Sequence, residues 1–387
     1  MRAVAVIFAL LAVLSAVACG GGDDDDSDVA TDDDTSSDDT SDDDEPDDDT
    51  ADDDTADDDT SDDDDTSDDD IVDDDDTDLG ILTAMQFNVG TTKGLDHDAG
   101  DDGYTQEMAD IADELYENSL SWNVAEAALT DYFAAVRPAF VTMQEMYYDP
   151  WCEDIEVDPE LDFVCKTYTS ERPLQVQRLL GDDYQVACGT KQVDNCVGVR
   201  KDVGRILGCP LDEPCIGGLE GMGPPSGCTT SDRVARVKIE LVDGREMTLV
   251  NVHGTSGFKK KDRECRADEF AQIFEDRGDG EPAASGPMNL VMGDINTDPF
   301  LASSVDESAA YWNDWVGEGK PFDYISSDES GGPGTTAGFL RIDHVVSDKL
   351  TGSCVVPGGT EGVDPVLDAI YWDHRPVVCD VDFAVAR

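Results

Sequence analysis

Between Gly20 and Asp78 the sequence repeats DDDT, DDDTA and DDDTS, with 35 acidic side chains and not one Lys or Arg. Such a stretch has almost nothing apolar to bury, and its charges repel one another, so it cannot build a core. It reads as an extended spacer with a reach of up to ~195 Å at ~3.3 Å per residue. Carboxylate oxygens suit calcium, but the tract lacks the glycine and ligand spacing of a calcium loop, which favours the spacer. Folding is left to the flanking sequence.

Ahead of the tract, residues 1–19 read MRAVAVIFALLAVLSAVAC. Arg2 followed by the apolar run Val4 to Val17, short for a membrane span, has the form of an export signal. Ala16-Val17-Ala18-Cys19 resembles a bacterial lipoprotein cleavage site, where the cysteine is lipidated and becomes residue one, although Ala16 stands where Leu is usual. An ordinary signal peptide with an incidental cysteine is the alternative. Three segments are expected: a lipoprotein signal peptide over 1–19, a disordered Asp-rich tether over 20–78, and a folded domain over 79–387. Gly20 rather than Asp after Cys19 points to the outer membrane or cell surface. Ten of the 11 cysteines follow residue 150, an even number that fits up to five disulfides in an oxidising compartment. No Cys-x-x-Cys pair occurs, which argues against a zinc knuckle or thioredoxin-like site.

Of the 91 acids, 35 lie in the tract; 56 remain against the 24 basic residues after Arg2, a balance of about −32. That excludes a passive nucleic-acid binder with a broad basic footprint, though not an enzyme with a local groove or a metal. The apolar patterning predicts strands over 80–89, 139–143, 184–187, 196–200, 289–292, 342–347 and 377–383. It also predicts a hairpin of 234–241 and 246–252 across Asp243-Gly244. Helices are expected over 104–137, ended by Pro138, around 174–180, and over 262–274. Residues 204–231, rich in Gly and Pro with Cys209, Cys215 and Cys228, read as a disulfide-stapled loop. Many strands and few helices imply an α+β sandwich with sheets inside and helices outside.

Polar residues recur where these apolar strands end: Asn88 after MQF, Glu145 after VTMQ, His253 after LVNV, Asp294 and Asn296 around LVMGDIN, then Asp343-His344 and Asp373-His374. A strand end is where a rigid scaffold presents a side chain to a cleft. Three of the four histidines fall in these motifs, and histidine donates or accepts a proton near neutral pH. In order, QFN, QE, NVHGTS, GDIN, RIDHV and DHRP resemble the endonuclease/exonuclease/phosphatase superfamily across about the whole folded part. That resemblance implies a deoxyribonuclease I-like four-layered α/β sandwich, two packed mixed sheets flanked by helices. It also implies a metal-dependent hydrolase, usually with Mg2+, or with Mn2+ or Ca2+, since hard oxygen ligands suit these ions.

Carried over motif by motif, the resemblance makes Glu145 the main metal ligand, with Asn88 beside it and Asp373 helping. Asp294 would activate water, with Asn296 holding the phosphate or that water. His374, oriented by Asp343, would stabilise charge on the phosphorus oxygens, and His253 would bind phosphate or assist the leaving group. His344 reads as structural. Two departures stand out. Trp372 replaces the usual Ser before Asp-His, and the middle third lacks a clear Tyr or His near 190–202, for which Arg200, Lys201 or Arg233 are the substitutes. Lys259, Lys260, Lys261 and Arg263 form the one dense basic run, either a solvated helix start or a rim that steers a polyanion. Phe258 and its apolar neighbours are too few for a membrane-penetrating hairpin. Three readings follow for a monomer on a lipid anchor: a surface nuclease, a phospholipid or sugar-phosphate phosphodiesterase of the sphingomyelinase or inositol-phosphate kind, or an inactive binding module on a stalk.

Overall fold

The computed structural model describes residues 79–90, 105–107, 110–111, 119–155, 157–276, 280–326, 332–336, 340–366 and 372–384. The expected signal peptide with Cys19 and the expected tether lie outside the described residues, as does part of the helix expected over 104–137.

Among the described residues fourteen strands form two sheets. In chain order they are β1 Ile81–Asn88, β2 Phe140–Gln144, β3 Tyr184–Cys188, β4 Cys196–Arg200, β5 Gly204–Ile206, β6 Cys215–Ile216 and β7 Glu220–Gly221. Then follow β8 Val234–Leu241, β9 Glu246–His253, β10 Asn289–Asp294, β11 Asp323–Tyr324, β12 Asp343–Ser347, β13 Thr351–Val355 and β14 Val377–Asp382. The first sheet has the order β13-β14-β1-β2-β4-β3-β6. The second runs β11-β12-β10-β9-β8-β5, with β7 also on β8. Both are mixed: β1–β2, β3–β6 and β9–β10 are parallel and the other named pairs antiparallel.

Strand alternation sorts the apolar residues into three cores. Ala84, Phe140, Val197, Val237, Leu249, Leu290, Val345 and Val381 fill the space between the sheets. The opposite parity of the first sheet, with Met85, Phe87, Val141 and Met143, packs on helices α1 (Asn123–Val136) and α2 (Gln175–Leu180) through Leu129, Phe133, Val176 and Leu179. On the second sheet, Val250, Val252, Val291 and Val346 meet α3 (Lys260–Phe274) and α4 (Glu307–Trp315) through Phe270, Ile273 and Trp312. Helix, sheet, sheet, helix is the four-layered α+β sandwich that the resemblance implies. Full burial of each such Phe or Leu contributes roughly 2 kcal/mol.

Three local readings need correction. The helix expected over 104–137 is interrupted by a 3-10 turn at Ser119–Ser121, and Trp122 bridges to Phe163 in extended geometry before α1 starts at Asn123. Residues 204–231 are not a self-contained stapled loop: they hold three short strands and the Cys209–Cys215 bond, while Cys228 reaches Cys265 on α3. Helix α4 and strand β13 were not expected, although Asp306 caps α4 by accepting from Ser308 N, a readable signal. Cys152–Cys165, Cys188–Cys196 and Cys354–Cys379 complete five disulfides, which place the chain in an oxidising compartment. Among the described residues no helix is long and apolar enough to cross a membrane.

Candidate active site

The parity that builds the inter-sheet core also builds the site. Ala84 faces that core, so Gln86 and Asn88 on the same strand face it too. By the same count His253 follows Leu249 on β9, Asp294 follows Met292 on β10, and Asp343 precedes Val345 on β12. Register aligns them: Asp294 is opposite His253 on one side and Asp343 on the other, while Asn88 is opposite Gln144, just before Glu145. His344 has the other parity. It is buried among Trp312, Tyr324 and Phe300, with Nε2 donating to Arg341 O at 2.9 Å, and burial pushes its imidazole down to about 4. It is a neutral packing residue, as expected.

Hydrogen bonds tie the two sheets together at this end. Asn88 Nδ2 donates to Glu145 Oε1 at 3.1 Å and to Asp294 Oδ2 at 3.2 Å, and its Oδ1 accepts from Gly90 N at 3.0 Å. Gln86 Nε2 donates to Asp343 Oδ1 at 2.7 Å, and Gln144 Nε2 donates to Asn251 Oδ1 at 2.6 Å. His374 Nδ1 donates to Asp343 Oδ2 at 2.8 Å, with Nε2 3.8 Å from Asp294 Oδ2. His253 Nε2 lies 3.2 Å from Glu145 Oε1. Asn296 donates to Asp294 through both its backbone N (2.8 Å) and Nδ2 (3.0 Å). All eight residues proposed from sequence converge at this end except that no hydrogen bond joins Asp373 to the others; its Oδ1 is buried with no partner among the described residues.

Strain and charge concentrate here. Among the described residues three non-glycines have positive φ, and two of them are Glu145 (57°) and Asn296 (51°), a conformation that costs of order 1 kcal/mol or more. Gly90 is required by contact: a Cβ there would fall 1.6 Å from Glu145 Oε2. Burial alone would raise the Glu145 carboxyl. The hydrogen bond and charge of His253, helped by Asn88 and His374, outweigh it and hold Glu145 at about 2. Asp294 moves the other way, to about 6, through burial and the neighbouring Asp343, against the pull of His374. Asp373 rises to about 7, mainly by burial and then by Glu145 and Asp294, against His374. Burial opposes the His374 imidazolium, but Asp343, Asp294 and Asp373 prevail and hold it protonated well above its ordinary range.

These groups fit a hard divalent ion. The unpartnered Asp373 oxygen and the Glu145 carboxylate supply anionic oxygen donors, and burial beside Glu145 and Asp294 is what raises Asp373. Asp294, Asp343 and His374 also bring one ligand atom each within 4.8 Å of one another. Their lone pairs and ring nitrogen are, however, engaged with Gln86, Asn88, Asn296 and each other, so this trio is a hydrogen-bonded relay.

Of the three substitutes for the missing middle-third residue, Arg200 pairs with Asp202 and the Arg137 carbonyl, and Lys201 with Asp212. Arg233 is different. His253 N donates to its carbonyl at 2.8 Å, continuing the Val234–Val252 register, so Arg233 and His253 project on one face. Its Nε is buried without a hydrogen-bond partner. Trp372 packs edge-on against Phe87, ring centroids 5.3 Å apart. In the basic run Lys260 pairs with Glu264 and Arg263 with Glu307, a solvated helix start.

No family model and no curated protein matches the chain. Similar solved structures include the human Nocturnin catalytic domain with bound sulfate, at 13% identity over 79% of this chain and 94% of that one, TM-score 0.46. A D. rerio TDP2 humanised by 14 mutations is similar at 12% identity over 78% and 99%, TM-score 0.45. An endonuclease/exonuclease/phosphatase family protein from Bacteroides thetaiotaomicron is similar at 14% identity over 78% and 98%, TM-score 0.41.

Proposed function

We propose that the chain is a divalent-metal-dependent phosphodiesterase of the endonuclease/exonuclease/phosphatase type, exported and lipidated at Cys19, acting as a monomer at the outer membrane or cell surface. The observation that carries this reading is the buried Asp373 oxygen without a partner, next to the strained Glu145 and the hydrogen-bonded set of Asn88, Asp294, Asp343 and His374. Glu145 and Asp373 would hold Mg2+, Mn2+ or Ca2+, with Asn88 steering the Glu145 carboxylate. When bound, the ion neutralises charge on a phosphoryl oxygen.

The chain's own groups supply the remaining chemistry. Asp294, fixed by Asn88 and Asn296, takes the proton of the attacking water; a carboxyl near 6 is ionised at neutral pH yet basic enough to accept it. His374, held as imidazolium by Asp343, which is itself held by Gln86, faces the charge that grows on the phosphorus oxygens. Arg233 and His253 offer donors to a phosphate oxygen on the other side. These local cations explain how so acidic a protein binds an anion. Export, disulfides and the NVHGTS and GDIN motifs fit a nuclease; a lipid or sugar-phosphate phosphodiesterase, which a membrane anchor fits equally, is the alternative.

The test is hydrolysis by the purified full chain, with Mg2+ and with chelator, on DNA, RNA, sphingomyelin and bis-p-nitrophenyl phosphate. Chelator-sensitive turnover supports the phosphodiesterase, and the preferred substrate separates nuclease from lipase. No turnover by folded protein in several metals would sink the reading.

A further inference from the structure

Residues 189–195 join β3 to β4, and the disulfide between the facing residues Cys188 and Cys196 closes them into a ring. Within it Gly189 N donates to Asn195 O and Asn195 N to Gln192 O, each at 3.1 Å. A Cβ at residue 189 would lie 2.6 Å from the Gln192 carbonyl oxygen, so the tight ring is built around glycine. Two contacts leave this ring toward the site. The Asp194 carbonyl accepts from Met146 N at 2.8 Å, the amide directly after Glu145, and so anchors the left-handed turn that aims that carboxylate. Gln192, 9% exposed, places Nε2 3.4 Å from Nδ1 of His253. Nε2 of the same ring faces the Glu145 carboxylate, so Gln192 and Glu145 hold the imidazole from its two nitrogens.

Glu145 follows a strand of the first sheet and His253 ends a strand of the second. One covalently closed loop touches both. We propose that this ring is a positioning clamp for Glu145 and His253, with Gln192 and the Asp194 carbonyl as its two contacts, so that turnover depends on the Cys188–Cys196 bond. This rests on the phosphodiesterase reading. It goes beyond that reading in tying catalysis to one disulfide of five.

The experiment uses the full chain as C188A/C196A and Q192A, with C354A/C379A as a control that removes another cross-strand disulfide, between β13 and β14. Turnover, KM, urea stability and the 15N shifts of the His253 ring nitrogens are measured. Both C188A/C196A and Q192A are expected to lower kcat about 10–100-fold with KM unchanged, and to move the His253 ring shifts. C354A/C379A is expected to lose stability while keeping kcat and those shifts. Wild-type kcat and ring shifts in Q192A and C188A/C196A overturn the clamp, as does an equal loss of kcat in C354A/C379A. If C188A/C196A does not fold, Q192A decides. If the wild type hydrolyses nothing, the phosphodiesterase reading has failed by itself, and movement or constancy of the His253 shifts in Q192A upholds or overturns the clamp.

Discussion

Asp373→Asn isolates the electrostatic cost that the site carries without metal. Burial, with Glu145 and Asp294, lifts the Asp373 carboxyl from an ordinary 3.8 to about 7 despite the attraction of His374. The folded state therefore keeps this proton longer than the unfolded chain does. Stability falls as pH climbs from about 4, and the full penalty is reached above about 7. At about 1.4 kcal/mol per pH unit, that penalty is about 4 kcal/mol at pH 8 and about 1 kcal/mol at pH 4.5. Asn carries no charge at either pH. In chelator, D373N is thus expected to stabilise the protein by about 3 kcal/mol more at pH 8 than at pH 4.5, whatever constant offset the amide brings. Urea unfolding followed by tryptophan fluorescence reads this double difference. A companion measurement adds millimolar Mg2+ at pH 8, which should raise the urea midpoint of the wild type and leave D373N nearly unmoved. An equal effect of D373N at both pH values would refute the reasoning, because the carboxylate would then be no more costly to ionise in the fold than in the open chain.

Three further outcomes test the division of labour. Glu145→Gln is expected to abolish metal-dependent turnover and the Mg2+-induced rise in the urea midpoint; retention of both removes Glu145 from the metal site. His374→Ala is expected to reduce kcat by about 10²–10³ with the fold intact by circular dichroism, as for loss of a transition-state donor, and normal turnover would take it out of the chemistry. Arg233→Ala is expected to lower kcat/KM about 10–100-fold, the loss of one charge-assisted hydrogen bond, whereas Arg200→Ala leaves it unchanged. Equal losses in the two variants would mean that Arg233 acts through bulk charge.

Much of the site was legible because a strand's side-chain period of two is strict. Once Leu249, Met292 and Val345 are taken as inward, His253, Asp294 and Asp343 must face inward too, and His344 outward. The sequence motifs mark these positions because each polar residue interrupts an apolar strand where the strand stops. What escaped depends on pairing between distant elements. Gln86 and Gln192 look like ordinary polar residues until Asp343 and His253 are brought within reach of them. Arg233 was one of three candidates, and the ladder between β8 and β9, with the ion pairs that engage Arg200 and Lys201, separates it from them. The partner of Cys228 lies 37 residues away on a helix, and spacing carries no information about such a bond. Helix α4 was lost because nine residues with mixed polarity give little periodic signal, although its Asp306 cap was readable.

Strand β14 lies between β13 and β1, so the last part of the chain pairs directly with the first part of the fold. A ribosome delivers β1 hundreds of residues before its neighbour exists. Until then β1 has one open edge, and the Asp373-His374 segment is missing from the cleft. The first sheet therefore closes only after residues 377–382 have been made. It also means slow, long-range assembly, with an exposed β1 edge as the hazard along the way.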